Sequence, residues 1–324
     1  MAAAQSAQPN KHLLNIQTII LAAALLLPGF APSLFGWLSV LLATPIFCLL
    51  CLNGQKKGTL LIRNGVVLAV AVAVILKLVP SLLFSLTLVP LGYSFSKSYG
   101  NRDTEIQAGT RGIIVLAATW VIFWIVYGTI QGINPYQHLL EILDTGFAQT
   151  YDYYMKNSDL PAENILQLEQ AVSELRGIIP MILPGILFCT VLVTVWINLI
   201  LSATVLAKIQ PDNLPWQKYS QWRLPDKLVW VFIVAGIFLL MGQGRLSQAA
   251  IGTILVTSLL YFFQGLAVFV HMLEKWNVPT YVRILIYGIL IIQSYGLILL
   301  TIVGLADVWL NFRRTRSINT PNTK

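Results

Sequence analysis

Charged residues are scarce in this chain, and their scarcity decides its class. Only 10% of the 324 residues are charged, whereas 56% are apolar and the mean hydropathy is +0.73. A soluble globular domain carries roughly 25% charged residues, so this chain could not cover the surface of a soluble protein of its size. Disorder is excluded because it requires low hydrophobicity and high net charge. The apolar runs are continuous rather than alternating, which excludes an outer-membrane barrel and leaves a polytopic α-helical membrane protein.

Residues typical of metal sites and catalytic centres are also few. The three cysteines lie inside apolar runs and the three histidines are far apart, so we expect no metal site, no cofactor and no disulfide framework. The sequence contains no H-E-x-x-H, G-x-S-x-G or G-x-x-x-x-G-K motif. Gly304–Asp307 is similar to the Gly-x-Gly-Asp motif of intramembrane aspartyl proteases, but it lacks the second glycine and a second carboxylate to share a proton. We therefore predict that the protein is not an enzyme.

Nine apolar segments follow one another along the chain. A membrane-spanning helix needs about 20 apolar residues. Because some segments are shorter, we predict eight to ten spans in an all-α, polytopic transmembrane helix bundle. The first segment has no clear cleavage site, and we interpret it as an uncleaved span rather than a signal peptide. The approximate limits of the segments are 13–28, 33–53, 61–79, 81–96, 112–131, 178–207, 228–242, 249–271 and 284–312.

The sequence predicts four regions. N-terminal membrane helices occupy 1–131, C-terminal membrane helices occupy 178–312, and a basic tail follows at 313–324. The 132–177 insertion between the two membrane regions has helical periodicity in two stretches, the second ending near Arg176. We predict two amphipathic helices there, folded as a cap on the outer face or lying in the membrane interface.

The distribution of Lys and Arg among the loops predicts the orientation in the membrane. Three loops are basic: 54–63 with a charge of +3, 97–111 with +1 and 208–227 with +2. The 132–177 insertion carries −5. A cytoplasmic N-terminus places the basic loops inside and the insertion outside, so we predict a multi-pass protein of the bacterial inner (plasma) membrane. Because the positive charge lies in short loops and the tail rather than on a folded face, we expect contact with the lipid bilayer and none with nucleic acid.

The last apolar segment conflicts with this alternation. Nine spans would place the C-terminus outside, yet the 313–324 tail carries four basic residues, which should lie inside. Segment 284–312 is long enough for one tilted span, or for two short half-spans joined at 293–296. The sequence leaves both arrangements open.

Polar residues at membrane depth are costly and are therefore the candidates for a binding site. Four residues are candidates for contact with a substrate: Lys77, Asn198, Gln264 and Arg245. Each also has a structural interpretation. The stem of Lys77 can reach the outer interface, Arg245 follows a glycine turn, and the two amides can bond across helix interfaces.

Asp307 is the one acidic residue within an apolar segment. We expect it to form a structural ion pair with Arg313 or Arg314 near the membrane border. The alternative is a proton or cation site at the same carboxylate.

The C-terminal third carries motifs of a known family. Leu260–Ala267 reads LYFFQGLA and Gly304–Arg313 reads GLADVWLNFR, with Pro184 and the WINL stretch of Trp196–Leu199 upstream. These residues resemble the YybS-like family of uncharacterised bacterial membrane proteins. That family is distantly similar to the substrate-binding S components of energy-coupling-factor transporters, which capture a small nutrient from outside. The resemblance implies a transporter-like bundle without implying a substrate, and the S-component core lacks the 132–177 insertion.

Two functions follow from these observations. The first is a transporter-like protein that binds or moves a small molecule or a lipid, taken from the outer side of the membrane. The alternative is a non-transporting scaffold or interaction subunit that contacts membrane-protein partners through the 132–177 insertion or the cytoplasmic loops. Convergence of Asn198, Gln264 and Lys77 on one cavity would favour the first.

Overall fold

The described part of the chain is built from helices. The computed structural model describes residues 11–157, 162–209, 215–241 and 245–313, and these residues contain no β-strand, which confirms the predicted all-α fold class. Two 3₁₀ helices occur at Gly36–Leu41 and Tyr219–Gln221. The α-helices are α1 (Lys11–Phe30), α2 (Pro32–Phe35), α3 (Ala43–Leu76), α4 (Val79–Leu86), α5 (Val89–Gly100), α6 (Glu105–Gln131), α7 (Pro135–Asn157), α8 (Ala162–Ile209), α9 (Leu228–Met241), α10 (Arg245–Lys275), α11 (Thr280–Ile292) and α12 (Ser294–Leu310).

Several helices are long and apolar enough to cross a membrane. By length and composition, five qualify among the described residues, and two bent helix pairs raise the number to seven if each pair is one span. The sequence predicted eight to ten spans. The five helices are Ala43–Leu76, Val79–Gly100, Glu105–Gln131, Glu163–Ile209 and Leu246–Lys275. The bent pairs are Asn15–Phe30 with Pro32–Leu41, bent by 114°, and Thr280–Leu290 with Tyr295–Leu310, bent by 105°.

The helix α3 is interrupted at Gly54. This residue has φ 73° and ψ 160°, a conformation essentially restricted to glycine. A Cβ placed on Gly58 would lie 2.8 Å from the Cα of Leu50. In a straight helix those two residues would be about 12 Å apart along the axis, so the chain turns back on itself at Gly54. Of the predicted loop at 54–63, only Gly54 forms a turn, and the basic side chains of this range lie on the part of α3 that follows Gly54.

The second half of the predicted insertion and the sixth apolar segment form one continuous helix. Helix α8 has 48 residues, which corresponds to a length of about 72 Å. Pro180 and Pro184 lie inside this helix, which continues through both. A helix of this length exceeds the hydrocarbon thickness of about 30 Å, so part of it extends beyond a bilayer.

Prolines and capping residues set the beginnings of several other helices. Pro32, Pro80 and Pro90 stand in the first turns of α2, α4 and α5, where a missing N–H is tolerated. Helix α6 begins with a capping box in which the Thr104 hydroxyl accepts from the backbone of Gln107, while the Gln107 side chain accepts from the backbone of Thr104. Helices α3 and α4 are separated at Lys77 and Leu78, and Pro80 is the second residue of α4.

The chain forms two compact units. The first comprises Met1–Leu139 and Thr190–Trp216, and the second comprises Leu140–Cys189 and Gln217–Lys324. These limits differ from those of the predicted regions. The part of α8 up to Cys189 belongs to the second unit, and the part from Thr190 belongs to the first. Beyond Arg313, the predicted basic tail lies outside the described residues.

Aromatic side chains fill part of the core of the first unit. Phe47 on α3 stacks on Trp216 with ring centroids 5.5 Å apart. Phe95 and Tyr99 on α5 meet the Trp216 ring edge to face, at 6.4 and 6.5 Å. Trp216 is almost completely buried, so its ring packs this point of the chain against α3 and α5.

Candidate functional site

In the second unit, α10 and α12 cross with their backbones in contact. A Cβ on Gly265 would overlap the carbonyl oxygen of Leu300, and a Cβ on Gly304 would overlap the carbonyl oxygen of Tyr261. Small residues allow such close approach between membrane helices. The crossing brings Gln264 of α10 and Asp307 of α12, each one turn or less from a contacting glycine, to the same place.

Asp307 is the centre of a buried polar network. Its side chain is fully buried, and Oδ2 accepts hydrogen bonds from Gln264 Nε2 at 3.0 Å and from Arg313 Nη2 at 2.6 Å. Oδ1 accepts from the backbone N–H of Phe312 at 3.1 Å. Both carboxylate oxygens therefore have partners, as a buried charge requires.

The segment that precedes α9 completes this network with backbone groups. Arg313 donates to the carbonyl oxygens of Ser220 and Trp222, and the backbone N–H of Leu224 donates to Gln264 Oε1 at 3.1 Å. We refer to Gln264, Asp307 and Arg313, with these backbone partners, as the Asp307 network. It joins three parts of the chain that are distant in sequence.

Two further contacts hold the same segment in place. The Tyr219 hydroxyl donates to the carbonyl oxygen of Phe263 at 2.6 Å. Arg223 Nη1 donates to Asn311 Oδ1 at 2.7 Å. Asn311 has a left-handed conformation, with φ 49° and ψ 56°, which ends α12 and turns Arg313 back towards Asp307.

A cavity of about 320 Å³ opens beside the Asp307 network. We call it the basic pocket, because three of its residues, Lys218, Lys275 and Arg313, are cations and one, Glu274, is an anion. Arg313 belongs to both the network and the pocket, so the buried ion pair fixes one wall of the cavity. The full lining is Lys218, Ser220, Gln221, His271, Glu274, Lys275, Phe312 and Arg313.

Asn198, a predicted candidate, lies in the first unit and is fully buried. Its Oδ1 accepts from the backbone N–H and the hydroxyl of Thr44, both at 3.0 Å. Its Nδ2 donates to the carbonyl oxygens of Val40 and Thr194, at 2.5 and 2.8 Å. Every donor and acceptor of this amide is therefore used within the protein, and Asn198 binds α8 to the beginning of α3.

The two predicted cationic candidates lie at helix ends. Lys77 has a left-handed conformation, with φ 58° and ψ 32°, ends α3 and is exposed. Its side chain takes no part in the hydrogen bonds of Asn198. Arg245 is the first residue of α10 and follows residues 242–244, which are outside the described part. The structure thus brings together Gln264, Asp307 and Arg313 in the second unit, whereas Lys77 and Asn198 belong to the first.

The pocket was not predicted from the sequence. Lys218 contributes there only to the net charge of the 208–227 loop, and neither Glu274 nor Lys275 belongs to a recognisable motif. The sequence does show basic residues after several apolar segments, at the ends predicted to be cytoplasmic. Those residues are far apart in the sequence, so nothing in it indicates that they line one cavity. Among the described residues, no group of three His, Cys, Asp or Glu side chains is arranged to hold a metal ion.

Comparison with known proteins places the chain among membrane proteins. A family model described as "Predicted membrane protein (DUF2232)" matches residues 18–308, which is most of the chain. No curated protein and no solved structure matches the chain. The match confirms a family of predicted membrane proteins, whereas the resemblance to the YybS-like family and to S components stays a prediction.

Proposed function

The chain belongs to the DUF2232 family of membrane proteins, and we propose that it is a binding protein of the bacterial inner membrane. Its ligand is a small anionic molecule or an anionic lipid, taken up in the basic pocket on the cytoplasmic side. The protein has no catalytic activity of its own in this proposal. The observation that carries it is the cavity lined by Lys218, Lys275 and Arg313.

The charges of the pocket support an anionic ligand. Lys218 and Lys275 are exposed, and neither has an acidic partner within ion-pair distance among the described residues. Their ammonium groups are therefore free to turn towards a ligand. Arg313 is held by Asp307, which positions its guanidinium without a further loss of side-chain freedom on binding.

The positive-inside rule supports a cytoplasmic location for this pocket. Its cations come from the 208–227 loop, from the end of α10 and from the beginning of the basic tail. Short segments rich in Lys and Arg remain in the cytoplasm. With alternating spans, this assignment places the N-terminus in the cytoplasm as well.

The pocket also supports one of the two arrangements of the last apolar segment. Lys275 precedes α11 and Arg313 follows α12, yet both line the same cavity. A net crossing between them would separate these residues by about 30 Å. We therefore propose that α11 and α12, bent by 105°, enter the membrane and return to the same side. The basic tail then lies inside.

The hydrogen bonds of the deep amides favour binding over transport. Asn198 and Gln264 use their polar atoms on protein partners, so neither offers a free group to a moving substrate. The distant similarity to S components stays a prediction, and those proteins take their substrate from the opposite side of the membrane. The proposal therefore does not depend on that similarity.

The alternative, an interaction subunit, is favoured by a different observation. Helix α7 and the first part of α8 are joined by an exposed ion pair between Arg176 and Asp144 at 2.7 Å, and α8 is longer than a bilayer is thick. This hairpin, the predicted outer insertion, could contact another membrane protein. Deletion of 140–174 would abolish that function while leaving the basic pocket intact.

Ligand-dependent stabilisation of the purified full chain tests the proposal. A ligand that binds only the folded protein raises its melting temperature. We expect anionic compounds or anionic lipids to raise Tm in detergent, and we expect the double variant Lys218→Gln/Lys275→Gln to lose the increase. Lys227→Gln, in the same loop but outside the pocket, is the matched control and should keep it. The proposal is wrong if no anion raises Tm, or if the double variant responds as the wild type does.

A further inference from the structure

We infer that the ligand of the basic pocket is the singly charged phosphodiester headgroup of a bilayer lipid, bound by Lys218 and Lys275 against a wall formed by Arg313. This inference rests on the proposed function and names the ligand class for the same site. Three observations carry it: the charge balance of the site, the size of the cavity and the exposed apolar side chains in its lining and close to it in the sequence.

The charge balance favours a monoanion. Lys218, Lys275 and Arg313 contribute three positive charges, while Glu274 in the lining and Asp307 behind Arg313 contribute two negative charges. The sum of these five charges is +1. A phosphodiester carries one negative charge and offers its oxygens to several donors at once. A dianionic ligand would leave an uncompensated charge beside Glu274.

The size of the cavity fits a headgroup rather than a whole lipid. A volume of about 320 Å³ is at the lower end of the range of roughly 300–1,000 Å³ found for ligand pockets. It accommodates a phosphate with a small polar substituent. Acyl chains would have to leave the cavity and lie along apolar surface.

Exposed apolar side chains occur in the lining and close to it in the sequence. Phe312, which lines the cavity, is 42% exposed, and Trp276 and Trp309 are 63% and 62% exposed. Trp side chains at helix ends are typical of the membrane–water interface, at the level of lipid headgroups. Basic pockets between helices on the cytoplasmic side are suited to anionic headgroups. The pocket therefore lies at the depth where a bilayer lipid presents its phosphate.

Arg313 gives the site its geometry. Its Nη1 and Nη2 each donate to the protein, at Trp222 and Asp307, so the guanidinium plane is fixed before a ligand arrives. An arginine has five N–H donors, and those left over face a ligand from a fixed direction. The two lysines are flexible and supply attraction, whereas the arginine supplies orientation.

The test uses the full chain in lipid nanodiscs and in detergent, with four probes. Phosphatidylglycerol is the lipid monoanion, phosphatidic acid the lipid with the greater charge, glycerol 3-phosphate the soluble phosphate and citrate the soluble carboxylate. Binding is measured as the increase in Tm and, for lipids, by native mass spectrometry of retained molecules. The variants are Lys218→Gln, Lys275→Gln and the control Lys227→Gln, each first shown to have the wild-type Tm without ligand.

We expect phosphatidylglycerol to stabilise the wild type at least as strongly as phosphatidic acid. We expect its affinity to fall about fivefold with each lysine removed, which corresponds to about 1 kcal/mol per cation near the membrane surface. Lys227→Gln should bind as the wild type does. Glycerol 3-phosphate should bind far more weakly than the lipid.

The other outcomes separate this inference from the proposed function. If glycerol 3-phosphate stabilises the protein as strongly as phosphatidylglycerol does, the ligand is a free phosphate compound, and only the lipid assignment is overturned. If citrate alone stabilises it, the phosphate class is wrong although the anionic pocket stands. If none of the four probes stabilises the wild type, both the inference and the proposed function fail.

Discussion

The carboxylate of Asp307 and the guanidinium of Arg313 are 2.6 Å apart, although Arg313 lies beyond the end of the helix that carries Asp307. Residues six positions apart point to different sides of a helix. They meet here because Asn311 takes the left-handed conformation and reverses the chain. The pair is almost completely buried, with side chains 1% and 13% exposed, so its contribution depends on both partners being present.

The first prediction concerns this pair. Asp307→Ala should lower the free energy of unfolding by about 3–5 kcal/mol, because it leaves the buried Arg313 without its counter-ion. Gln264 also loses an acceptor. The measurement is denaturant unfolding of the purified protein in detergent micelles. Asp226→Ala is the matched control, since it breaks an exposed pair with Arg223 at 3.1 Å and should cost less than about 1 kcal/mol.

Removal of both charges distinguishes an ion pair from simple packing. The double variant Asp307→Leu/Arg313→Met should recover part of the loss, because an apolar pair leaves no buried charge. It should nevertheless reduce lipid binding, since Arg313 also lines the basic pocket. An Asp307→Ala variant as stable as the wild type would show that the pair does not hold α10, α12 and the preceding segment together.

The second prediction concerns the crossing of α10 and α12. Gly304→Ala should destabilise the protein by about 1–3 kcal/mol or more, because its Cβ would overlap the carbonyl oxygen of Tyr261 and force the helices apart. Gly236→Ala and Gly288→Ala are controls on α9 and α11. At both positions a Cβ would meet no atom within 4 Å, so alanine should be neutral or stabilising by up to about 1 kcal/mol. Thermal unfolding of the three variants in one detergent compares them directly.

The fold class could be predicted from the sequence because a charge fraction of 10% allows few alternatives. The limits of the helices were harder to predict. The turn at Gly54 depends on the backbone conformation of one residue. The second half of the predicted insertion and the sixth apolar segment form one helix, α8, and nothing in their composition indicates that they are continuous. A proline usually ends a helix, yet α8 continues through Pro180 and Pro184. The continuous apolar runs therefore indicated where apolar helices lie, but not how those helices are connected.

The candidate site could be predicted only in part. Gln264 and Asp307 stand out as polar residues in apolar surroundings, and the expected pairing partners of Asp307 included Arg313. The partners of Gln264 and Arg313 in the segment before α9 are backbone groups, which no side-chain pattern reveals. Lys218 and Lys275 could not be brought together, because they are distant in sequence and each is explained by the positive-inside rule alone.

The third prediction concerns Asn198. Asn198→Ala should destabilise the first unit by about 1–3 kcal/mol, since it leaves the buried N–H of Thr44 and the carbonyl oxygen of Val40 without partners. It should leave the lipid-induced increase in Tm unchanged, because the basic pocket belongs to the second unit. Thr204→Ala, on the same helix with an exposed hydroxyl bonded to its own backbone at Ile200, is the control and should change stability by less than about 0.5 kcal/mol.

A different result for Asn198 would revive the transport hypothesis. If Asn198→Ala keeps the wild-type stability but weakens ligand binding, the amide contacts a ligand in solution. Asn198→Asp is a second test of the structural role. Its side chain can still accept from the backbone N–H of Thr44, but it can no longer donate to the carbonyl oxygen of Val40. The buried carboxylate would face the carbonyl oxygens of Val40 and Thr194 without a counter-ion, so a purely structural amide predicts a loss of stability at least as large as that of Asn198→Ala.

The fourth prediction concerns the path of α11 and α12. Single cysteines at Asp152, Lys275 and Asn322 are labelled with a membrane-impermeant maleimide in intact cells and after permeabilisation. The background has the three native cysteines, Cys48, Cys51 and Cys189, replaced by serine. The Asp152→Cys variant should react in intact cells, since the positive-inside rule predicts that the acidic insertion is outside. Lys275→Cys and Asn322→Cys should react only after permeabilisation.

The comparison between the last two positions decides the arrangement. Lys275 and Arg313 line one cavity, so the proposed return of α11 and α12 to one side predicts that both reporters behave alike. A single tilted span would instead make Asn322→Cys reactive in intact cells while Lys275→Cys stays protected. That result would separate the two ends of the basic pocket across the bilayer and contradict its assignment. Labelling of both positions in intact cells would keep the pocket but place it outside, against the positive-inside rule.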